Sequence, residues 1–323
     1  VRVLSRADLE RLLQPADVIA AVEAAFRMHA AGRAQAPPRL AVPCGDDDVL
    51  LLMPAVMTGA GVGAKLVTVY PDNRARGRPT LYATYVLLDH ASGEPLALLD
   101  GATLTGLRTG ATSALAARHL ARPDARRVAC FGCGAQAAFQ LACLHVVRPL
   151  ERVAVVGRDP QRAREFASAM AHRLGIPVEV ATDPARAVRE ADLVTCATTA
   201  RTPVVFGRDL ARGTHVDLVG AFRPADREAD TDAIRRARVV VDTYTGALAG
   251  AGDILIPMKE GAIDRRHIVA ELEEIVTGAR PGRVAAAEIT LFKSVGWAVE
   301  DLAAARLAWE RAATAAVGTE VAL

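Results

Sequence analysis

The spacing of apolar residues changes character along the chain, and each change predicts a different element. Ser5 and Asp8 form a capping-box pattern ahead of Leu9, Leu12 and Leu13, which recur at helical spacing. Pro15 starts a second helix whose apolar face is Val18, Ile19, Val22 and Phe26. Next come the β-rich runs "VLLLMPAV", "VGAKLVTVY" and "LYATYVLLD", broken by Gly, Pro and Asp, and "DHASGEPLALLDG" reads as a turn joining two strands. The stretch "LTGLRTGATSALAARHL" then predicts an apolar helix with Arg108 held near its Thr- and Gly-rich start. From Arg126 onward strands alternate with helices: "RRVACFGCGAQAAF", "ERVAVVGRDPQRAREF", a strand before and a strand after a short helix begun at Asp183, then "THVDLVGA" and "ARVVVDT". That alternation predicts a parallel, doubly wound sheet. "WAVEDLAAARLAWERAATAAV" closes the chain as one long helix, expected to lean back on the first part. The fold class is therefore α/β, with residues 1–118 and 298–323 as one domain and 119–297 as the other.

Composition changes this picture little. The chain has 323 residues, 51% hydrophobic and 24% charged, with a formal net charge of +2. Scattered Lys and Arg give no electrostatic reason to expect nucleic acid or an anionic membrane as partner. No run reaches the ~18 apolar residues of a membrane span, and the N-terminal Arg2, Arg6 and Asp8 interrupt any signal-peptide core, so a cytoplasmic location is expected. Five cysteines are too few and odd in number for a disulfide framework. Cys130 and Cys133 have C-x-x-C spacing but no second pair or nearby His, and the histidines lack metal spacing, so no metal site is expected.

The chemistry starts at Gly132-Cys133-Gly134-Ala135-Gln136-Ala137, which fits G-x-G-x-x-[G/A] between an apolar strand and a helix. Gly132 allows the tight turn, Gly134 the approach of a pyrophosphate to the helix N-terminus, and Ala137 close helix–strand packing. The second strand of such a unit ends in a carboxylate when it binds the 2′-hydroxyl of NAD. Here Gly157 and Arg158 stand at that strand end, and Asp159 before Pro160 reads as a helix cap. NADP(H) is therefore favoured over NAD(H).

Three cations of the first domain stand in distinctive settings: Arg39 after Pro37-Pro38, Lys65 within an apolar strand, and Arg108. Either they are surface or salt-bridged cations, or they form a joint anion site, for which arginine offers a planar fork and lysine a point charge able to move a proton.

"PPRL", "GAKLVTVYPDN", "TGLRTGATSALAARHL", "FGCGAQAAFQL", "VGAFRPADREAD" and "LFKSVGWAVEDLAAA", in this order, resemble the ornithine cyclodeaminase/mu-crystallin family over essentially the whole chain. The resemblance implies a Rossmann domain set in a substrate domain that also forms a homodimer, a nicotinamide cofactor, and a small amino- or imino-acid substrate. It implies that Arg39, Lys65 and Arg108 bind the substrate carboxylate and that Thr80, Thr198, Val219, Gly220 and Val295 line the cofactor pocket. Two positions depart from the deaminating members. Leu51 or Leu52 stands where they carry an acidic residue for the distal amine, and Phe222 where they carry a catalytic aspartate. The resemblance is thus to the reductase branch, acting on cyclic ketimines such as pyrroline- or piperideine-2-carboxylate or on linear imines. Ornithine cyclodeamination or amino-acid dehydrogenation is the alternative activity, and a non-catalytic NADP-binding protein the alternative class. Asp226 and Glu228 are read as loop residues that pair with Arg223 or Arg227. Replacing Arg108 by Ala is expected to weaken turnover while barely changing folding.

Overall fold

The computed structural model describes residues 1–322. Its residues form two compact units: Val1–Arg108 with the segment from Trp297, and Thr109–Gly296.

In the first unit, strand β1 (Arg2–Leu4) leads into α1 (Arg6–Leu12), started by the Ser5–Asp8 capping box, and α2 (Pro15–Ala30), which buries Val18, Ile19, Val22 and Phe26. Strands β2 (Ala34–Gln35), β3 (Leu40–Pro43), β4 (Val49–Met57), β5 (Gly61–Val69), β6 (Leu81–Leu88) and β7 (Pro95–Asp100) follow. The β6–β7 turn is fixed by the Asp89 carboxylate, which accepts the backbone N–H groups of Ala91 and Ser92. Residues of β4, β5 and β6 alternate strictly. Leu51, Met53, Ala55, Lys65, Val67, Tyr85 and Leu87 are buried on one face, while Leu66 and Tyr82 are exposed on the other.

Helix α3 (Gly101–Leu120) follows β7 without a loop. It begins earlier than its apolar pattern suggests, so Arg108 lies two turns inside it rather than near its start. The two units divide within this helix, between Arg108 and Thr109.

The second unit contains β8 (Arg127–Phe131), α4 (Ala135–Val147), β9 (Arg152–Val156), α5 (Pro160–Leu174), β10 (Val178–Val180), α6 (Pro184–Glu190), β11 (Leu193–Cys196) and β12 (His215–Leu218). It continues with α7 (Thr231–Arg236), β13 (Arg238–Val241), α8 (Tyr244–Gly250), α9 (Gly252–Lys259), β14 (Ile268–Glu271), α10 (Leu272–Val276) and β15 (Thr290–Lys293). The strands form one parallel sheet in the order β10-β9-β8-β11-β12-β15-β13-β14. The first six give the Rossmann order, with its reversal between β8 and β11. Both faces are covered. Ala129 and Phe131 of β8 join one apolar cluster, Val128 and Cys130 the other. The sequence pattern missed β14 and β15, and β15 enters between β12 and β13 although it follows both in the chain.

Helix α11 (Ala298–Ala315) then packs on α2, β4 and β5 of the first unit, and β16 (Thr319–Glu320) pairs with β1. The first unit's sheet runs β16-β1-β7-β6-β5-β4-β2, with β3 also on β4.

Candidate active site

The antiparallel register of the first unit places Met53, Lys65, Tyr85 and Leu99 in one cross-strand row on the buried face. Lys65 is 1% exposed, so its ammonium must find partners within the protein. Its Nζ donates to both oxygens of Asp301, at 2.8 and 2.7 Å. Arg108 Nε donates to the same Asp301 at 2.9 Å, and Arg108 Nη1 to Glu300 at 2.7 Å. Both carboxylates come from the first turn of α11, where a negative charge also suits the helix dipole. The result is a buried chain of two cations and two carboxylates from β5, α3 and α11. Burial and the charge of Arg108 lower the Lys65 pKa to about 8, against the pull of Asp301 and Glu300. Burial also opposes the Arg108 charge, but Asp301 and Glu300 more than offset it and raise its pKa. Tyr85, beside Lys65 in the row, has its pKa raised well above the ordinary value by burial and by Asp301. Its hydroxyl has no hydrogen-bond partner among the described residues.

Arg39 comes from a different segment. It is half-buried just ahead of β3, where Leu40 pairs with Leu52, so it stands at the head of the row that holds Met53 and Lys65. The structure therefore joins Lys65 and Arg108 through Asp301 and places Arg39 two strands from Lys65 in the same sheet. Because Arg108 is 4% exposed and holds two buried carboxylates, the expectation that its loss leaves folding unchanged is corrected.

The glycine fingerprint lies at the carboxyl end of β8, beside the reversal of strand order. Gly132 has φ +111, and a Cβ there would sit 2.6 Å from the Ala197 carbonyl oxygen, so only glycine fits. Gly134 precedes α4 with no side-chain cap, and Gly134 and Ala135 are exposed. The first N–H groups of α4 are thus open to an anion, which suits a dinucleotide pyrophosphate. Gln136 is half-buried and donates to Gln140 at 3.2 Å. Gly157 and the exposed Arg158 follow β9. Asp159 caps α5, accepting the N–H groups of Gln161 and Arg162, so its carboxylate is engaged with the helix.

Thr198 follows β11, and Val219 and Gly220 follow β12, at the same end of the sheet. One residue organises these ends. The Glu228 carboxylate accepts from the Thr198 N–H at 2.8 Å, the Thr198 hydroxyl at 2.7 Å and the Gly220 N–H at 2.7 Å. A Cβ on Gly220 would fall 2.2 Å from the Thr198 carbonyl oxygen, so the two ends need glycine to close on each other. The reading of Glu228 as an arginine-paired loop residue is corrected: it is fully buried, and Arg227 pairs instead with Glu260 at 3.4 Å. Burial raises the Glu228 pKa, against the charge of Lys293. Behind it, Asp253 accepts the N–H groups of Glu228 and Ala229 and pairs with Lys293 at 2.8 Å. Val295 is held by Asp242, whose carboxylate accepts the N–H groups of Val295 and Gly296. Thr80 belongs to the other unit, half-buried just before β6.

Asp217 of β12 is a further buried carboxylate. It accepts from Gln140 at 2.7 Å and Thr195 at 2.8 Å, and burial pushes its pKa up to about 6. Leu51 and Leu52 lie on β4, and Phe222 is half-buried, stacked by the Arg223 guanidinium at 5.8 Å. None of the three offers a charge or an exchangeable side-chain proton.

Sequence reasoning missed Asp301, Glu300, Asp253, Lys293, Asp242 and Asp217. The available signal was the occurrence of charged residues within otherwise apolar runs such as "LFKSVGWAVEDLAAA" and "THVDLVGA".

Comparison with known proteins agrees with the fold and extends over the whole chain. A delta(1)-pyrroline-2-carboxylate reductase of Bacillus cereus is 39% identical over 322 residues, covering 99% of each chain. The structure of the Thermococcus litoralis delta(1)-pyrroline-2-carboxylate reductase, solved with NADH and L-proline, superposes with a TM-score of 0.97 at 41% identity, over 99% of this chain and 100% of that one. An archaeal alanine dehydrogenase dimer with bound NAD gives a TM-score of 0.94 at 33% identity, over 100% and 99%. Residues 1–316 match the ornithine cyclodeaminase/mu-crystallin family, and the chain belongs to that family.

Proposed function

We propose that this protein is a nicotinamide-dependent imino-acid reductase, with Δ1-pyrroline-2-carboxylate and related cyclic ketimines as its substrate class. The observation that carries this reading is the buried Lys65–Asp301–Arg108 cluster, in a chain whose similar relatives include pyrroline-2-carboxylate reductases. Lys65 and Arg108, with Arg39, grip the substrate carboxylate and so fix the adjacent C=N carbon. A bound nicotinamide supplies the hydride. The protonated imine already carries its proton, so the site needs no strong general acid at the nitrogen. Lys65, with a pKa near 8, stays mostly charged at neutral pH and orients the carboxylate. Leu51, Leu52 and Phe222 offer no group to bind a distal ammonium or to shuttle a proton, which favours reduction over cyclodeamination.

The unit from Thr109 to Gly296 is the dinucleotide-binding part, with Gly132, Gly134, Ala135, Gln136, Gly157, Arg158, Thr198, Val219, Gly220 and Val295 as its contacts. NADP(H) is preferred over NAD(H), because Arg158 is exposed after β9 while Asp159 is committed to its helix. The other unit binds the substrate and forms a homodimer. Its sheet exposes Leu40 (56%) and Tyr82 (51%) beside Val42 and Leu66, an apolar face suited to a second copy. The five cysteines are all free, which suits the reducing cytoplasm. No helix among the described residues is long and apolar enough to cross a membrane.

The test is a pair of assays on one preparation: NADPH oxidation with Δ1-pyrroline-2-carboxylate, and ammonia release from ornithine with NAD. Reduction without ammonia is expected. Robust ammonia release that disappears in Asp226→Asn would return the protein to the cyclodeaminases, and failure of both assays would favour a binding protein.

A further inference from the structure

Of the 39 Lys and Arg residues only three are lysines: Lys65, Lys259 and Lys293. Lys259 is exposed, but Lys65 and Lys293 are fully buried, each against an aspartate. At these two buried positions lysine supplies a compact ammonium in place of arginine's planar fork. At Lys65 two of the three N–H groups donate to the two oxygens of Asp301. The same carboxylate takes the Arg108 Nε–H. Asp301 therefore bonds to both cations.

We propose that Asp301 is a positioning residue, holding the Lys65 ammonium and the Arg108 guanidinium as one rigid, charged pair that grips the substrate carboxylate. This rests on the reading of Lys65 and Arg108 as the substrate anchor. The charged and titratable groups facing Lys65 are Asp301 and Glu300 from α11, Arg108 from α3 and Tyr85 from β6. Across β4 its row partner is the uncharged Met53, with Arg39 beyond. Burial and Arg108 push its proton off, while Asp301 and Glu300 hold it on. Two cations and two carboxylates leave the cluster neutral, so its attraction for an anion depends on directed N–H groups rather than on net charge. Removing the Asp301 charge takes away the group nearest the ammonium. Lys65 then loses its proton at a pH lower by about one to three units, as expected for an opposite charge in direct contact.

The test is the titration of Lys65 in protein labelled with [13Cε]lysine, followed by NMR and read beside steady-state kinetics. With only three lysines, Lys65→Met assigns its signal. In the parent protein its midpoint is expected near pH 8, and in Asp301→Asn clearly lower. KM for Δ1-pyrroline-2-carboxylate at pH 8 should rise about fivefold or more, as the charged fraction falls from about half to about a tenth, with kcat changing less. An unchanged Lys65 midpoint in Asp301→Asn overturns the proposal. If Asp301→Asn does not fold, Asp301→Glu decides: a retained midpoint with raised KM supports the role, and an unchanged KM refutes it. Absence of imino-acid reduction in the parent would sink the functional reading alone, because the NMR midpoint remains readable without turnover.

Discussion

Replacing Arg108 by Ala tests whether the buried charges are a connected structure. The side chain is 4% exposed and makes two charge-assisted bonds, to Asp301 at 2.9 Å and to Glu300 at 2.7 Å. Alanine leaves those two carboxylates with Lys65 as the only remaining cation of the cluster. Breaking a buried pair by removing one partner costs about 3–5 kcal/mol, much of it from the charge left uncompensated. At about 2–3 °C per kcal/mol for a chain of this size, the melting temperature should fall by about 6–15 °C. The origin of the loss is separable. In Arg108→Leu combined with Glu300→Leu, the carboxylate bonded to the guanidinium is gone with it while Lys65 and Asp301 keep each other. The double variant should therefore melt above Arg108→Leu alone. Reductase activity should be severely weakened in all three variants, because the anchoring fork is absent from each. Thermal unfolding by circular dichroism, with NADPH oxidation assayed at 25 °C, reads both effects. An Arg108→Ala protein that melts like its parent would refute the charge accounting, and one that also turns over like its parent would refute the anchor.

Arg158→Ala should narrow a preference for NADPH over NADH, measured as the ratio of the two dissociation constants; equal constants in the parent would remove the argument. Asp217, pushed from an ordinary 3.8 to about 6, holds its proton more tightly in the folded than in the unfolded state. Stability should therefore fall as pH rises from about 4 to about 6, by up to about 3 kcal/mol, and Asp217→Asn should flatten that slope in melting curves. Placing charges on the exposed sheet face with Leu66→Glu and Tyr82→Glu should shift sedimentation from dimer to monomer; a parent that sediments as a monomer would contradict the dimer.

The sequence made legible what is local. The glycine fingerprint, the helix cap at Asp159 and the alternation of strands and helices each depend on residues within a few positions of one another. Strand β15 was hidden because its place between β12 and β13 is a property of the whole sheet. Asp301 was hidden for a related reason. In "WAVEDLAAA" a Glu-Asp pair reads as the polar start of a helix, and nothing nearby reveals a lysine 236 positions earlier against it. Lys65 and Arg108 stood out because each interrupts an apolar pattern, whereas carboxylates in a first helical turn are ordinary. Glu228 lies in a loop rich in Arg and Asp, where pairing with a neighbour is the simplest reading. Only its burial against Thr198 and Gly220 gives it another role.

The central claim is hydride transfer to an imine carbon, and isotope transfer tests it most directly. The protein is incubated with Δ1-pyrroline-2-carboxylate and NADPH carrying deuterium on one face of nicotinamide C4, then with the cofactor labelled on the opposite face, and the proline formed is weighed by mass spectrometry. The account predicts one deuterium at the α-carbon from one labelled face and none from the other. Unlabelled proline from both cofactors, or no proline at all, would contradict it.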